Sequence, residues 1–78
     1  MKVYKIKISF LPIDMHEDEL YSLLKDWGNI YKVKILNYDE YSNAYIEFLY
    51  EEQANYFVEA LNKTPFEHII LDVERLYD

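Results

Sequence analysis

A chain of 78 residues that is 51% hydrophobic and 18% aromatic can form one small core, and one glycine and two prolines argue against a disordered linker. The absence of cysteine excludes disulfide bonds and thiolate metal sites and fits a reducing compartment. A net charge of −7 argues against generic nucleic-acid binding, and no apolar run suits a membrane span or signal peptide. We expect a soluble intracellular protein, or a domain of a larger one, with residues 1–78 forming a single domain.

The basic residues are unevenly distributed along the chain. Five of the eight lie in the short segments 2–7 and 32–34, whereas the acidic residues crowd elsewhere. An acidic protein can therefore still carry a local basic surface, because the distribution of charge matters more than its sum.

The first predicted element is a half-buried strand over residues 3–10. Apolar Ile6 and Ile8 alternate with polar residues, which is the period of two that a strand with one buried face requires. The outward members are Lys5, Lys7 and Ser9. Pro12 follows Leu11 and ends the strand.

A first helix is predicted next. Its apolar stripe has the spacing i, i+3, i+4, i+7 and consists of Leu20, Leu23, Leu24 and Trp27. Acidic residues occupy the first turn, where the helix dipole favours them, and either Asp14 or His16 is the N-cap. Gly28 follows the stripe directly, which predicts a left-handed C-terminal cap.

Two strands are predicted around a short turn. Residues 31–36 alternate, with Val33 and Ile35 inward and Lys32 and Lys34 outward. Residues 37–42 are rich in Asn, Asp and Ser, which is typical of a turn. In the strand predicted over 41–48, the even positions from 44 onward are apolar and inward. Its outward members are Tyr41, Asn43, Tyr45 and Glu47.

A second helix and a last strand complete the pattern. Residues 51–62 repeat the helical spacing at Ala54, Phe57, Val58 and Leu61, and residues 69–76 predict a strand with Leu71 and Val73 inward. The order β-α-β-β-α-β matches the α+β ferredoxin-like fold, a four-stranded antiparallel sheet with two helices on one face.

In this fold the strands lie in the order fourth, first, third, second, and the second face of the sheet stays open. Tyrosines and lysines on that face form a platform for base stacking and phosphate contact. Its predicted members are Tyr41, Asn43, Tyr45, Lys5, Lys7, Lys32 and Lys34, with Ile70, Asp72 and Glu74 contributed by the last strand. The acidic residues of the helices lie mostly on the opposite side.

Two of the predicted strands carry a longer and a shorter sequence motif. Residues 41–48 align with the pattern K/R-G-F/Y-G/A-F-V-x-F/Y, in which Ala44, Tyr45, Ile46 and Phe48 agree, and Tyr41, Ser42 and Asn43 differ. Residues 6–11 keep the apolar frame of the shorter motif, but Lys7 stands where a stacking aromatic is usual. On these residues the whole chain resembles the RNA recognition motif family, as a degenerate member.

The resemblance implies a non-catalytic module that binds single-stranded RNA on its sheet face. Of three stacking aromatics only Tyr45 remains, since Lys7 and Asn43 replace the others, so we expect weak, salt-sensitive binding. The compact turn before the third strand is similar to that of SR-like proteins and Aly-type mRNA export adaptors. This similarity implies mRNA processing, splicing or transport in a messenger-ribonucleoprotein or spliceosomal assembly, in the nucleus or shuttling to the cytoplasm.

The alternative is a protein-interaction domain that kept the fold and largely lost RNA binding. An acidic helical surface, with Glu17, Asp18, Glu51 and Glu52, would then bind a basic partner. No catalytic motif stands out, and His16 and His68 lack ligand partners at useful spacing. We therefore expect no enzymatic activity, cofactor, metal or membrane contact.

Overall fold

The central feature of the computed structural model is a four-stranded antiparallel sheet. The structure describes residues 2–63, 65–66, 69–70 and 72–77. Its elements are β1 (Tyr4–Leu11), α1 (Glu17–Leu24), a 3₁₀ turn (Lys25–Trp27), β2 (Ile30–Asn37), β3 (Ser42–Phe48), α2 (Glu51–Leu61), β4 (Pro65–Phe66), β5 (Ile69–Ile70) and β6 (Asp72–Leu76). The sheet has the order β2-β3-β1-β6, and β4 pairs with β5 separately. The predicted ferredoxin-like fold is confirmed.

The core lies between one face of this sheet and the two helices. Its buried apolar side chains are Ile6, Ile8, Leu11, Ala44, Ile46, Phe48 and Val73 from the sheet and Leu20, Leu24, Ala54, Phe57 and Leu61 from the helices. Most of these are the inward positions that the alternation and the helical stripes predict. The rings of Phe48 and Phe57 lie 5.5 Å apart at the centre and join β3 to α2.

Helix α1 is tied to the edge of the sheet by its first residue. The helix begins after His16, one of the two predicted N-caps, but the His16 side chain makes no capping hydrogen bond. The backbone N–H of Ile35 donates to Glu17 Oε2 at 2.8 Å. Because β2 is an edge strand, its outer N–H groups lack ladder partners, and Glu17 satisfies one of them.

Gly28 does not form the predicted left-handed cap. Its φ of 165° is extended backbone, and α1 ends earlier, so that Trp27 lies half-buried in the 3₁₀ turn. A Cβ atom at Gly28 would lie 2.9 Å from Phe48 Cε1 and 3.1 Å from Gln53 Cβ. Glycine is needed here because β3 and α2 pack closely against the backbone.

The last strand is shorter than predicted. Ile69–Ile70 pairs with Pro65–Phe66, and only Asp72–Leu76 pairs with β1. The backbone groups of the connection thereby gain partners locally, and Ile70 does not join the open face of the main sheet. Val73 is buried as predicted, and its N–H donates to Asn62 Oδ1 at 3.0 Å. Leu71 lies outside the described residues.

Replacement of Gly28 by alanine is expected to lower the free energy of unfolding by about 1–3 kcal/mol, because the new methyl group overlaps the Phe48 ring. Chemical denaturation measures this change. The control is Ser22→Ala at an exposed position in α1, for which a change within about 0.5 kcal/mol is expected. Equal stability of the two variants would show that the close approach at Gly28 is unimportant.

Candidate nucleic-acid interface

The open face of the sheet is organised in rows that run across the strands. The backbone register places Glu74, Lys7, Tyr45 and Lys34 in one row, and Leu76, Lys5, Glu47 and Lys32 in the next. Cross-strand partners share a face, with their Cβ atoms about 4.5–5.5 Å apart. Tyr45, on a central strand, therefore has a lysine on each neighbouring strand.

This face is weakly positive. The four lysines of the two rows share it with Glu47, Asp72 and Glu74, which leaves a net formal charge of +1. Glu74 Oε1 lies 4.0 Å from Lys7 Nζ, an exposed pair of little stabilising value. Because the whole chain carries −7, the face is still positive relative to the rest of the molecule.

Strand β1 contains a bulge that its sequence pattern does not show. The flanking pairs are Ile8 with Ala44 and Leu11 with Ser42. Ser9 and Phe10 together therefore face Asn43, two residues against one. The extra residue returns Leu11 to the core and leaves Phe10 60% exposed. Phe10 has a φ of 63°, in the left-handed region that costs a non-glycine residue about 1–3 kcal/mol.

Asn43 holds this bulge in place. The backbone N–H of Phe10 donates to Asn43 Oδ1 at 3.3 Å, which satisfies a donor that the bulge withdraws from the ladder. The Asn43 residue is only 8% exposed. The sequence predicts an RNA contact at this position, whereas the structure shows its amide oxygen bonded to the backbone of β1.

Three aromatic rings, Phe10, Tyr41 and Tyr38, form a contiguous group beside the bulge, which we call the aromatic row. The ring centroids of Phe10 and Tyr41 are 5.2 Å apart, and those of Tyr41 and Tyr38 are 5.1 Å apart. Tyr41 lies just before β3 and not within it, and its C=O accepts a hydrogen bond from the Tyr38 N–H at 2.8 Å. Tyr38 is exposed at the surface of the turn.

Phe10 and Tyr38 are site candidates that the sequence pattern does not reveal. Phe10 continues the even-numbered series of Ile6 and Ile8, so simple alternation turns it inward. The available signal is the Phe10-Leu11 pair, since in a regular strand two adjacent residues face opposite sides, so at most one of these two large apolar side chains can reach the core. Tyr38 lies in a segment whose composition indicates only a turn.

Arg75 forms a separate cluster at the helical side of β6. Its guanidinium lies 5.5 Å from the centroid of the Tyr4 ring and 4.7 Å from that of Tyr77, and its Nη2 is 3.6 Å from Glu51 Oε2. Its side chain is 9% exposed, and within the described residues its Nε and Nη1 have no hydrogen-bond partner. A cavity of about 200 Å³ adjoins it, with Lys2 and Lys5 in its lining. The cluster joins the end of β6 to α2.

The acidic residues predicted to bind a partner fall into two environments. Glu17 and Glu51 make contacts within the fold, with the Ile35 N–H and with Arg75 respectively. Asp18 and Glu52 are exposed in the first turns of α1 and α2. Substitution of Glu17 or Glu51 is therefore expected to lower the stability of the fold more than substitution of Asp18 or Glu52, because Glu17 and Glu51 make contacts within it.

In the described part of the chain, no three His, Cys, Asp or Glu residues are grouped so as to hold a metal ion. Within the same residues, none of the helices is both long enough and apolar enough to cross a membrane. His68, whose metal role the sequence argues against, lies outside the described residues.

Several solved structures are similar to this one in fold. The structure is similar to the RRM3 domain of Mip6 (TM-score 0.80, 25% identity, 91% of this chain and 90% of that one). It is also similar to the MEC-8 C-terminal RRM domain bound to AGCACA (TM-score 0.83, 16% identity, 100% and 95% coverage). A third similar structure is an Sxl-lethal protein/RNA complex (TM-score 0.80, 25% identity, 99% and 48% coverage).

At the level of sequence, the comparison with curated proteins gives no significant match. Residues 6–69, however, match the family model of the RNA recognition motif. This segment contains most of β1, both helices, and all of β2 and β3, which carry the central rows of the open face. The chain belongs to the RNA recognition motif family.

Proposed function

We propose that this domain binds single-stranded RNA weakly on the open face of its sheet and has no catalytic role. The observation that carries the proposal is the row in which Tyr45 lies between Lys7 and Lys34. Tyr45 occupies an aromatic position of the family motif, so a base stacks on its ring while the two ammonium groups contact the flanking phosphates.

Lys5 and Lys32 extend the phosphate path, because they flank Glu47 in the adjoining row. Tyr41 adds an aromatic edge at the far end of β3. Asn43 contributes to the interface through its hydrogen bond to the backbone of Phe10, which holds the bulge in β1. Two structurally similar proteins support the choice of ligand, since the MEC-8 domain was determined bound to AGCACA and the Sxl-lethal protein as a complex with RNA.

Weak binding follows from the two positions that lack the usual aromatic. Stacking contributes about 1–3 kcal/mol per base, so Lys7 and Asn43 together forgo about 2–6 kcal/mol. Glu47 and Glu74 also oppose phosphates at the lysines beside them. A domain of this strength works alongside other RNA-binding segments or proteins, and we place it in a nuclear or shuttling assembly for mRNA processing or export.

A second candidate function is the capture of an arginine-rich protein segment on the helical side. The rings of Trp27 and Tyr56 lie 6.2 Å apart, and Tyr56 is exposed. Glu52 and Glu59 are also exposed, one helical turn before and after Tyr56 on the same face of α2. Aromatic rings flanked by carboxylates suit a guanidinium group, which stacks and forms ion pairs at once.

Replacement of Tyr45 by alanine is expected to weaken RNA binding about 5- to 150-fold, because one stacked base is lost. Fluorescence anisotropy with a labelled single-stranded oligonucleotide measures the Kd. Tyr21→Ala, an exposed tyrosine on α1, is the matched control and is expected to bind as the wild type does. An absence of amide NMR shifts on β1 and β3 during the titration would overturn the proposed interface.

Charge reversal on the open face is expected to reduce both the affinity and its dependence on salt. Each phosphate contact contributes a slope of about −0.7 to the plot of log K against log salt concentration for single strands. Lys34→Glu should therefore make the slope less negative by about this amount or more. Lys25→Glu makes the same charge change in the 3₁₀ turn and should leave the slope unchanged; equal slopes for the two variants count against the lysine path.

The helical candidate is tested with the double variant Glu52→Lys, Glu59→Lys, which changes the two exposed acids on either side of Tyr56 without touching Glu17 or Glu51. An arginine-rich peptide is expected to lose binding at least about tenfold, as measured by isothermal titration, since each ion pair formed with the peptide becomes a repulsion. The double variant Asp39→Lys, Glu40→Lys, in the β2–β3 turn, is the control. Unchanged peptide affinity in the helical variant rejects this function.

A further inference from the structure

We propose that Phe10 supplies the second base-stacking ring of the interface, in place of the aromatic residue that the family motif has at the position of Asn43. The inference rests on the proposed RNA-binding function and adds a ligand contact to it. Its ligand is one nucleobase of the single strand, adjacent to the base on Tyr45. Tyr41 packs against the ring, Tyr38 stacks on Tyr41, and Asn43 is a positioning residue.

Phe10 lies at the level of the open face where the family motif has a second aromatic residue. The third position of the motif is aromatic in the family and is Asn43 here. The bulge sets Phe10 opposite Asn43 on the neighbouring central strand, with its backbone N–H on the Asn43 side chain. An aromatic ring therefore remains at this level of the open face, but it lies on β1 instead of β3.

The Phe10 ring is exposed to solvent and packs against a neighbouring ring. Phe10 is 60% exposed, so it offers a large aromatic surface to a ligand. It also contacts Tyr41, with a centroid separation of 5.2 Å and an interplanar angle of 49°. Tyr41 in turn stacks on Tyr38 at 26°. Because Phe10 packs against a ring that is itself stacked on another, its side chain loses little freedom when a base stacks on it, which favours binding.

The backbone of Phe10 is strained, because its φ of 63° lies in the left-handed region. Left-handed φ values suit glycine, and among other residues they suit asparagine and aspartate best. Phenylalanine here has an unfavourable backbone and an exposed apolar ring, neither of which helps the core. Strained residues that the surrounding structure holds in place cluster at ligand sites, so an aromatic function accounts for both features.

The charges on either side limit the path of the bound strand across the sheet. Asp39 and Glu40 lie in the turn beyond Tyr38 and repel phosphates, whereas Lys7 and Lys34 flank Tyr45 and attract them. Positions 43 and 45 are about 6.6–6.8 Å apart along β3. This distance suits one step of an extended single strand, so bases on Phe10 and Tyr45 can be consecutive.

The test compares Phe10→Gly with Phe10→Tyr, both measured as the Kd for a labelled single-stranded RNA. Glycine removes the ring and tolerates the left-handed backbone, so the fold is expected to keep its melting temperature within a few degrees. Its affinity is expected to fall about 5- to 150-fold, as for the loss of one stacked base. Phe10→Tyr keeps the ring and should bind within about threefold of the wild type.

The outcomes separate this inference from the function on which it rests. If the wild type binds RNA and loses affinity with Tyr45→Ala but not with Phe10→Gly, the inference is wrong and the interface stands. If neither variant changes the affinity, both are wrong. An oligonucleotide with single abasic positions adds a direct readout, because Phe10→Gly should remove sensitivity at one position next to the one governed by Tyr45.

The positioning role of Asn43 is tested by a double-mutant cycle. Asn43→Ala removes the acceptor of the Phe10 N–H, so that amide should exchange its hydrogen faster and RNA affinity should fall. If Asn43 acts through Phe10, Asn43→Ala costs little further affinity in the Phe10→Gly background. Fully additive losses would show that Asn43 contacts RNA by itself.

Discussion

The bulge in β1, and with it the exposed Phe10 ring, depends on one hydrogen bond, from the backbone N–H of Phe10 to Asn43 Oδ1. Without an acceptor there, the bulge in β1 would leave a poorly hydrated donor unpaired, at a cost of about 1–3 kcal/mol. Ile6 and Ile8 place the even-numbered residues of β1 in the core. The bulge adds one residue to the strand, so that the odd-numbered Leu11 is also buried. A single amide oxygen therefore supports both the end of the core and the presentation of an aromatic ring.

The features that follow from local periodicity could be predicted from the sequence, and those that depend on contacts between elements could not. Alternation and helical spacing identify the four strands of the sheet and its two helices. The sequence predicts a cap at Gly28, but a glycine is required there because Phe48 and Gln53 pack against it. Simple alternation turns Phe10 inward, but two residues of β1 face Asn43 of β3 and leave Phe10 exposed. The separate pairing of Ile69–Ile70 with Pro65–Phe66 likewise depends on backbone partners that period two does not encode.

Part of the charge distribution can likewise be predicted from the sequence, and part depends on tertiary contacts. The segregation of lysines from helical acids is visible in the sequence, because β1 and β2 carry the lysines in their outward positions. Which acids belong to the fold is a matter of tertiary contact. Glu17 satisfies an edge-strand N–H and Glu51 lies beside Arg75, so neither is simply part of a solvated acidic surface. Among the described residues, exposed Asp18 and Glu52 make no such contact and can serve a partner or solubility.

Stability alone gives no reason for phenylalanine at position 10. Glycine or asparagine there would fit the left-handed backbone at lower cost, and either would expose less apolar surface. The chain instead keeps an exposed ring packed on Tyr41 and uses Asn43, across the sheet, to hold the backbone that presents it. Asn43 stands where the family motif has an aromatic, and it faces the bulge that presents the Phe10 ring. On the proposed function, Phe10 replaces one of the two missing stacking rings, and the position of Lys7 remains without one, which is why binding is still expected to be weak.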